Sequence, residues 1–442
     1  MAKYKRPTSE VEFKANFQQK KPLMNDTEAY YESAKCLFCY DAPCVDACPT
    51  GIDIPLFIKQ IHEYNSTGSA RTIFAANWLG NSCGIVCPTG VLCEGACVFN
   101  KQNISPVQIG RLQNYATNSV ISNNTHIFQQ GENNGKKVAI IGAGPAGIAC
   151  AAELRTLGYK VDIFEAKAKP SGLNVHGIAP YKITNEEALA EVEYLQKQLG
   201  FHILYENGIY NKKQLKDLEE QYHAIFLGVG LGKTASLKIK GENKKGVIGA
   251  VEFIEELREH KHATKLGEHI IVIGGGNTAM DAASEAARMG ANQVKLVYRR
   301  DKESMGAYSF EYDLAITAEV KSFFNASPVE ILGEEKVTGV KFIKTKIIDG
   351  RLIPVKGSEF TLDCDMVIKA TGQAKQGAFY QMIDHISLDA KNKIIVSEEL
   401  FQTSNPRYFA GGDAINGGAE VVNAAYDGKM AARGIHQWLS TQ

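Results

Sequence analysis

Hydrophobic and polar positions follow two styles along the chain. From Thr27 to about residue 116 the period is helical and no strand pattern occurs. Ala29, Tyr30, Ala34 and Leu37 can share one helix face. Asp53, Ile54 and Pro55 read as a helix start, because proline is tolerated in the first turn, and Phe57, Ile58 and Ile61 supply an apolar stripe. A further helix is expected from Ala70 to Leu79, stopped by Gly80. Residues 1–25 read as a polar lead-in, and Thr117 to Lys136, rich in Asn, Ser and Gly, as a linker.

Beyond the linker the style changes. Val138 to Ile141 is a short buried-strand run; a glycine turn, a helix to Leu157 and a second strand, Val161 to Phe164, follow. The same order returns at Ile270 to Ile273, with a helix to about Met289, a stop at Gly290 and a strand at Val294 to Val297. Each is a β-turn-α-β unit and implies a parallel sheet. The expected fold class is α plus α/β: an all-helical N-terminal domain followed by two nested Rossmann-like domains. The expected boundaries are a helical domain at 1–130, a first dinucleotide-binding segment at 131–235, a second dinucleotide-binding domain at 236–370, and a return to the first at 371–442.

Composition narrows the partners. The 49 basic and 49 acidic residues cancel, which gives no support for nucleic acid or a membrane surface. No apolar run reaches the length of a membrane span, and the start lacks the apolar stretch of a signal peptide, so a cytoplasmic protein is expected. In that compartment metal binding outranks disulfides for the ten cysteines.

The first glycine turn, Gly142-Ala143-Gly144-Pro145-Ala146-Gly147, fits G-x-G-x-x-G. Gly142 makes the tight turn, Gly144 lets the backbone approach a pyrophosphate, and Gly147 lets helix and strand pack closely. Glu165, at the end of the next strand, is placed to accept from a ribose hydroxyl. The second turn, Gly274-Gly275-Gly276-Asn277-Thr278-Ala279, fits G-x-G-x-x-A. Its next strand ends on Tyr298-Arg299-Arg300 instead of an acid. Arginine suits a 2′-phosphate, so NADPH is favoured and NADH stays open. The plain alternative is a solvated charge pair, and Asp301 stands beside it to blunt the field.

Eight cysteines crowd the helical segment: Cys36, Cys39, Cys44 and Cys48-Pro49, then Cys83, Cys87-Pro88, Cys93 and Cys97. Gaps of two to four residues can wrap a compact cluster, and cysteine is the usual iron–sulfur ligand. Zinc is the main alternative, but it needs only four ligands.

Phe409-Ala410-Gly411-Gly412-Asp413-Ala414, Ala370-Thr371-Gly372 and Phe226-Leu227-Gly228-Val229-Gly230, with the first glycine motif, resemble the two-dinucleotide flavoproteins. The resemblance implies FAD at the first site, with Asp413 on the ribityl chain, the helix starting at Val421 aimed at the flavin, and Gly172 among the contacts. The whole chain from about residue 30 resembles the electron-input module shared by dihydropyrimidine dehydrogenases and glutamate synthase small subunits. Asp41-Ala42-Pro43-Cys44, Cys48-Pro49-Thr50 and Leu79-Gly80-Asn81-Ser82-Cys83-Gly84 look more like the dihydropyrimidine dehydrogenase branch.

That branch implies two [4Fe–4S] clusters. Cys36, Cys39, Cys44 and Cys97 would hold one. Cys48, Cys87 and Cys93 would hold the other with Gln113, whose segment Ile109-Gly110-Arg111-Leu112-Gln113 matches. Cys83, Cys150 and Cys364 would be packed thiols.

The resemblance implies that hydride passes from NAD(P)H to FAD, and single electrons then pass through the clusters. No acid–base dyad is evident, and no catalytic side chain is assigned. The chain ends at Gln442, where the resemblance would place an FMN barrel and a ferredoxin-like domain. An FMN- and iron–sulfur-containing partner subunit that reduces uracil or thymine is therefore expected, in a hetero-oligomer. The alternatives are the small subunit of glutamate synthase, another NAD(P)H:acceptor subunit, or a non-catalytic scaffold.

Overall fold

The computed structural model describes residues 3–442. The chain divides into two compact units. One gathers the N-terminal stretch to Gln19, His176–Tyr181 and Gly232–Ala374; the other holds Lys20–Val175, Lys182–Leu231 and Lys375–Gln442.

The second unit carries the helices of the cysteine segment and a five-stranded parallel sheet. The strands lie in the order Tyr408–Ala410, Ala224–Leu227, Lys137–Ile141, Lys160–Phe164, His202–Leu204. Helices Pro145–Thr156 and Val421–Ser440 pack together so closely that a Cβ at Gly428 would lie 2.0 Å from the Ala146 carbonyl. Their core continues into the cysteine segment: Phe74, Trp78, Leu79 and Cys83 are buried with Ala143, Ala146 and Ile435 in one hydrophobic cluster.

The first unit has its own parallel sheet, in the order Val247–Gly249, Met366–Lys369, His269–Ile273, Gln293–Val297, Lys321–Phe323. A three-stranded antiparallel sheet, Ala326–Leu332, Gly339–Ile348 and Arg351–Asp363, joins it. The two segments that enter and leave this unit pair with each other: Gly232 N–H donates to the Ala374 carbonyl at 2.8 Å, and Ala235 N–H to that of Gly372 at 2.8 Å.

Several sequence expectations need correction. The helix expected over 70–79 is Ser66–Ala76, and Gly80 opens the next helix, Gly80–Val86, instead of ending the former. Glycine is needed there for packing, because a Cβ would lie 2.5 Å from Ile73 Cγ2. The linker expected from Thr117 begins later, since the helix Ile109–Ser122 runs through it. Leu112, Ala116 and Val120 form a buried stripe at i, i+4, i+8, and Thr117 Oγ1 bonds Asn81 Oδ1 at 3.0 Å. Leu37 lies outside the first helix of its segment, Asp26–Ser33, and is 58% exposed.

The lead-in is also structured and does not belong with the cysteine helices. The helix Glu10–Asn16 buries Phe13, and Phe17 follows it, in a cluster with Ala179, Tyr181, Leu257 and Met289. Asn16 Nδ2 donates to the Arg288 carbonyl at 2.7 Å, and Arg288 Nη1 donates to the Asn16 carbonyl at 2.6 Å. No helix among the described residues is long and apolar enough to cross a membrane.

Candidate functional site

The first glycine turn connects the strand Lys137–Ile141 to the helix Pro145–Thr156. Gly142 has φ +102°, and a Cβ there would also lie 2.5 Å from the Gly228 carbonyl. A Cβ at Gly147 would meet the Gly142 carbonyl at 2.0 Å, so this glycine seats the helix on its strand. Gly144 differs: the nearest atom to its Cβ position is Gly172 Cα at 4.0 Å. That side is open, as a backbone approaching a pyrophosphate requires. Pro145 occupies the first helical turn, where its missing N–H costs nothing.

Glu165 accepts from Ala143 N–H at 2.7 Å and from Lys167 N–H at 2.8 Å. The carboxylate is thereby fixed against the glycine turn, with lone pairs left for a ribose hydroxyl. Asp413 accepts from Ala419 N–H at 3.2 Å, and burial raises its carboxyl above the usual range. Val421 opens the twenty-residue helix, behind a capping box between Glu420 and Asn423.

Sequence reasoning missed Asp427. It accepts from Gly412 N–H at 3.0 Å, and burial pushes its carboxyl up to about 6, with Asp413 adding to the rise. The only sequence signal was its spacing on the last helix, six residues after Val421.

In the other unit, Gly274 would place a Cβ 2.3 Å from the Ala370 carbonyl, and Gly275 one 2.4 Å from the Tyr298 ring. Gly276 would meet nothing within 4 Å. The same division of labour therefore recurs: two glycines serve packing and one faces open space at a helix N-terminus. Asn277 Oδ1 accepts from Tyr308 N–H at 3.0 Å, so its side chain closes a loop over the turn, and Thr278 lies in the first turn of the helix Asn277–Arg288.

Arg299 is exposed and Arg300 half-buried. Their backbones are pinned by Thr345 Oγ1 on the Arg299 carbonyl at 2.7 Å and Asn325 N–H on that of Arg300 at 3.0 Å. Asp301 is occupied locally: its carboxylate accepts from Ser304 N–H at 2.9 Å.

The cysteines fall into two groups. Cys36, Cys39, Cys44 and Cys97 ring one cavity, walled by Ile54, Ile58 and Phe99. Burial, then the neighbouring Cys36 thiol, pushes Cys44 up to about 11, and Cys36 is raised by burial and by Cys39 and Cys97. Four thiols so placed cannot all ionise beside one another unless a cationic centre compensates, so the donor set fits an iron–sulfur cluster. In the second group, Cys93 is raised by burial, by Glu94, and then by Cys87 and Cys48. Among the described residues no three His, Cys, Asp or Glu side chains converge on a point that could hold a single metal ion. All ten cysteines are free thiols.

Gln113 is buried on the helix Ile109–Ser122, and its Nε2 donates to the Gly80 carbonyl at 2.6 Å. The amide is thereby oriented with its oxygen left as the available donor atom. Cys83 is buried, and its carbonyl accepts from Cys87 N–H at 3.1 Å. Cys150 and Cys364 are buried far from either group in sequence.

Residues 136–428 match the pyridine nucleotide-disulphide oxidoreductase family, across both glycine turns. The chain belongs to that family. Residues 13–125 match dihydropyrimidine dehydrogenase domain II, 4Fe-4S cluster, so this oxidoreductase carries an iron–sulfur domain ahead of its dinucleotide-binding part. It is 33% identical over 437 residues to the glutamate synthase [NADPH] small chain of Escherichia coli (strain K12), covering 94% of this chain and 92% of that one. It is equally 33% identical over 419 residues to the NAD-dependent dihydropyrimidine dehydrogenase subunit PreT of the same organism, covering 95% and 96%. Its fold resembles that of FprA of Mycobacterium tuberculosis, solved with NADPH: the TM-score is 0.57 at 20% identity, over 69% of this chain and 85% of that one. This family member is an NAD(P)H-dependent flavin and iron–sulfur oxidoreductase.

Proposed function

We propose that this chain is the NAD(P)H-oxidising subunit of a two-subunit dihydropyrimidine dehydrogenase. It would carry FAD and two [4Fe–4S] clusters and deliver electrons to an FMN-containing partner that reduces uracil or thymine. The observation that carries this reading is the pairing of an intact dinucleotide cradle with two separate cysteine groups in one unit. When bound, FAD takes up hydride as a pair of electrons and the clusters accept electrons one at a time.

The residues have distinct tasks in this reading. Gly144 gives the FAD pyrophosphate room, Glu165 holds its ribose, and Asp413 and the helix from Val421 orient the remainder. Gly276 gives room to the nicotinamide dinucleotide. Cys48, Cys87, Cys93 and Gln113 form the ligand set nearer the flavin, because Cys87 packs on the hydrophobic cluster that contains Ala143 and Ala146. Cys36, Cys39, Cys44 and Cys97 form the outer set, of which Cys36, Cys44 and Cys97 pack on the helical core. The loop through the outer set exposes Leu37, Phe38 and Tyr40, which suits the side facing a partner.

The purified chain should oxidise NADPH with an artificial dye yet fail to interconvert uracil and dihydrouracil. That reaction delivers hydride and proton to adjacent ring carbons and calls for a second flavin with a positioned general acid. Adding the FMN-containing partner should restore it. Pyrimidine reduction by the single chain would overturn the proposal. Glutamate formation with a glutamate synthase large subunit, and none with a pyrimidine partner, would move the assignment to the equally similar small-chain relatives.

NADPH should reduce the flavin faster than NADH, because Arg299 and Arg300 stand at the strand end where a ribose-binding acid would be, with the charge of Asp301 acting on Arg300. Replacing both with Ala should cost roughly 1–3 kcal/mol of transition-state binding for NADPH and far less for NADH. Stopped-flow flavin reduction reads this directly, and equal rate constants for the two cofactors in the parent would refute the preference.

A further inference from the structure

The turn between the helices Ser66–Ala76 and Gly80–Val86 is gripped from both ends by charged side chains of the flavoprotein helices. Lys429, buried on the helix Val421–Ser440, donates to the carbonyls of Ala75 and Ala76, the latter at 3.2 Å. Glu191, fully buried on the helix Asn185–Leu199, accepts from Asn81 N–H at 2.7 Å, Ser82 N–H at 3.0 Å and Ser82 Oγ at 2.5 Å. The signs are complementary: a cation sits at the C-terminal carbonyls of one helix and a carboxylate at the first N–H groups of the next. Between them, Trp78 Nε1 donates to Glu153 at 2.8 Å, and Arg433 holds the other oxygen of Glu153 at 2.7 Å.

What this grip supports is specific. The helix that Glu191 caps leads directly to Cys87. Its first residue, Gly80, supplies the carbonyl that orients Gln113. Asn81 in turn accepts from Asn114 Nδ2 at 2.9 Å and Thr117 Oγ1 at 3.0 Å, tying down the helix that bears Gln113. Two of the four ligands assigned to the inner set thus hang on one short segment whose N-terminus is held by a single carboxylate.

That carboxylate has no cationic partner among the described residues. Ser82, which it holds, is followed directly by Cys83, whose carbonyl accepts from Cys87 N–H at 3.1 Å. In a low-dielectric interior an uncompensated negative charge opposes the arrival of an electron nearby.

We propose that Glu191 is a positioning residue for the inner iron–sulfur site: it holds the segment that presents Cys87 and Gln113, and its buried charge lowers the reduction potential there. The inference rests on the two-cluster reading above. Neither the glycine turns nor the outer cysteine ring touches Glu191, so both should be indifferent to its replacement.

The test is a potentiometric titration of anaerobically purified holoprotein, followed by electron paramagnetic resonance, for the parent and E191Q. It is run at about pH 8.5, above the value of about 7 to which burial pushes this carboxyl. In E191Q one cluster should become easier to reduce by about tenfold in the reduction equilibrium, which is about 59 mV for one electron. The other cluster, the flavin and NADPH–dye turnover should stay unmoved. Unchanged potentials in a fully iron-loaded E191Q would overturn the inference and leave the two-cluster reading intact. If E191Q loses about half its iron while keeping its flavin, E191D decides: iron restored by the retained charge supports the positioning role, and iron still lost overturns it. A parent with only one cluster defeats the underlying reading, and this inference falls with it.

Discussion

On the proposed two-cluster reading, a C44S variant is expected to bind about four iron atoms per chain, against about eight expected for the parent. It should be reduced by NADPH at the parent's rate, and it should pass electrons to the proposed FMN-containing partner about 100-fold more slowly. The reason is the separation of the two cores in the second unit. Cys44 packs with Ile54, Phe57 and Ile58 in the helical core, whereas the glycine turn is buried with Cys83 and the helices Pro145–Thr156 and Val421–Ser440. Removing one thiol from the ring of Cys36, Cys39, Cys44 and Cys97 therefore leaves the flavin cradle standing. Iron and sulfide assay, stopped-flow flavin reduction and the coupled pyrimidine assay read the three quantities separately. Full iron content in C44S would remove Cys44 from the ligand set. Loss of flavin reduction together with iron would show the two cores to be one cooperative structure.

The two glycines of the second turn should fail in different ways. Gly276→Val adds a side chain where nothing lies within 4 Å, at a backbone conformation (φ −101°, ψ 176°) open to any residue. It should cost about 1 kcal/mol of stability, through a weaker helix N-cap. It should also raise the KM for NADPH about 100-fold, near 2.7 kcal/mol, by filling the space the pyrophosphate needs. Gly274→Ala instead drives a Cβ to 2.3 Å from the Ala370 carbonyl, backbone that cannot yield as a side-chain tip can. It should lower the melting temperature sharply and lose NADPH binding with the fold. Thermal melts beside steady-state kinetics separate the two. Tight NADPH binding by a well-folded Gly276→Val protein would exclude this turn from the cofactor site.

Much of this protein is written locally. A strand, a glycine turn, a helix and a second strand form one continuous stretch, so both dinucleotide-binding units can be read from thirty residues at a time. The cysteine runs are local in the same sense: Cys36, Cys39 and Cys44 lie within nine residues of one another. The features that were misread depend on packing between elements and not on the pattern within one. Gly80 looks like a helix stop, and only the approach of Ile73 makes it a packing position at the start of the next helix. Thr117 to Ser122 has a linker's composition, yet Asn81 and Phe128 give it polar and apolar partners that hold it helical. The long strands Gly339–Ile348 and Arg351–Asp363 went unread because their outer faces are largely exposed, and their buried residues, such as Val340 and Phe342, are few.

By itself, then, the sequence determined the fold class and located the two glycine turns and the runs of cysteines, because each depends on residues close together in the chain. The tertiary structure decided the rest. It showed which glycines serve packing and which face open space. It brought Cys97 to Cys36, Cys39 and Cys44 across more than fifty residues, and it placed the first helix against Arg288 and Tyr181 in the other unit from the cysteines. It also set a lone buried carboxylate, Glu191, on the N-terminus of a helix 109 residues away. Contacts of that kind arise from packing between distant segments, and no local pattern of hydrophobic and polar residues encodes them.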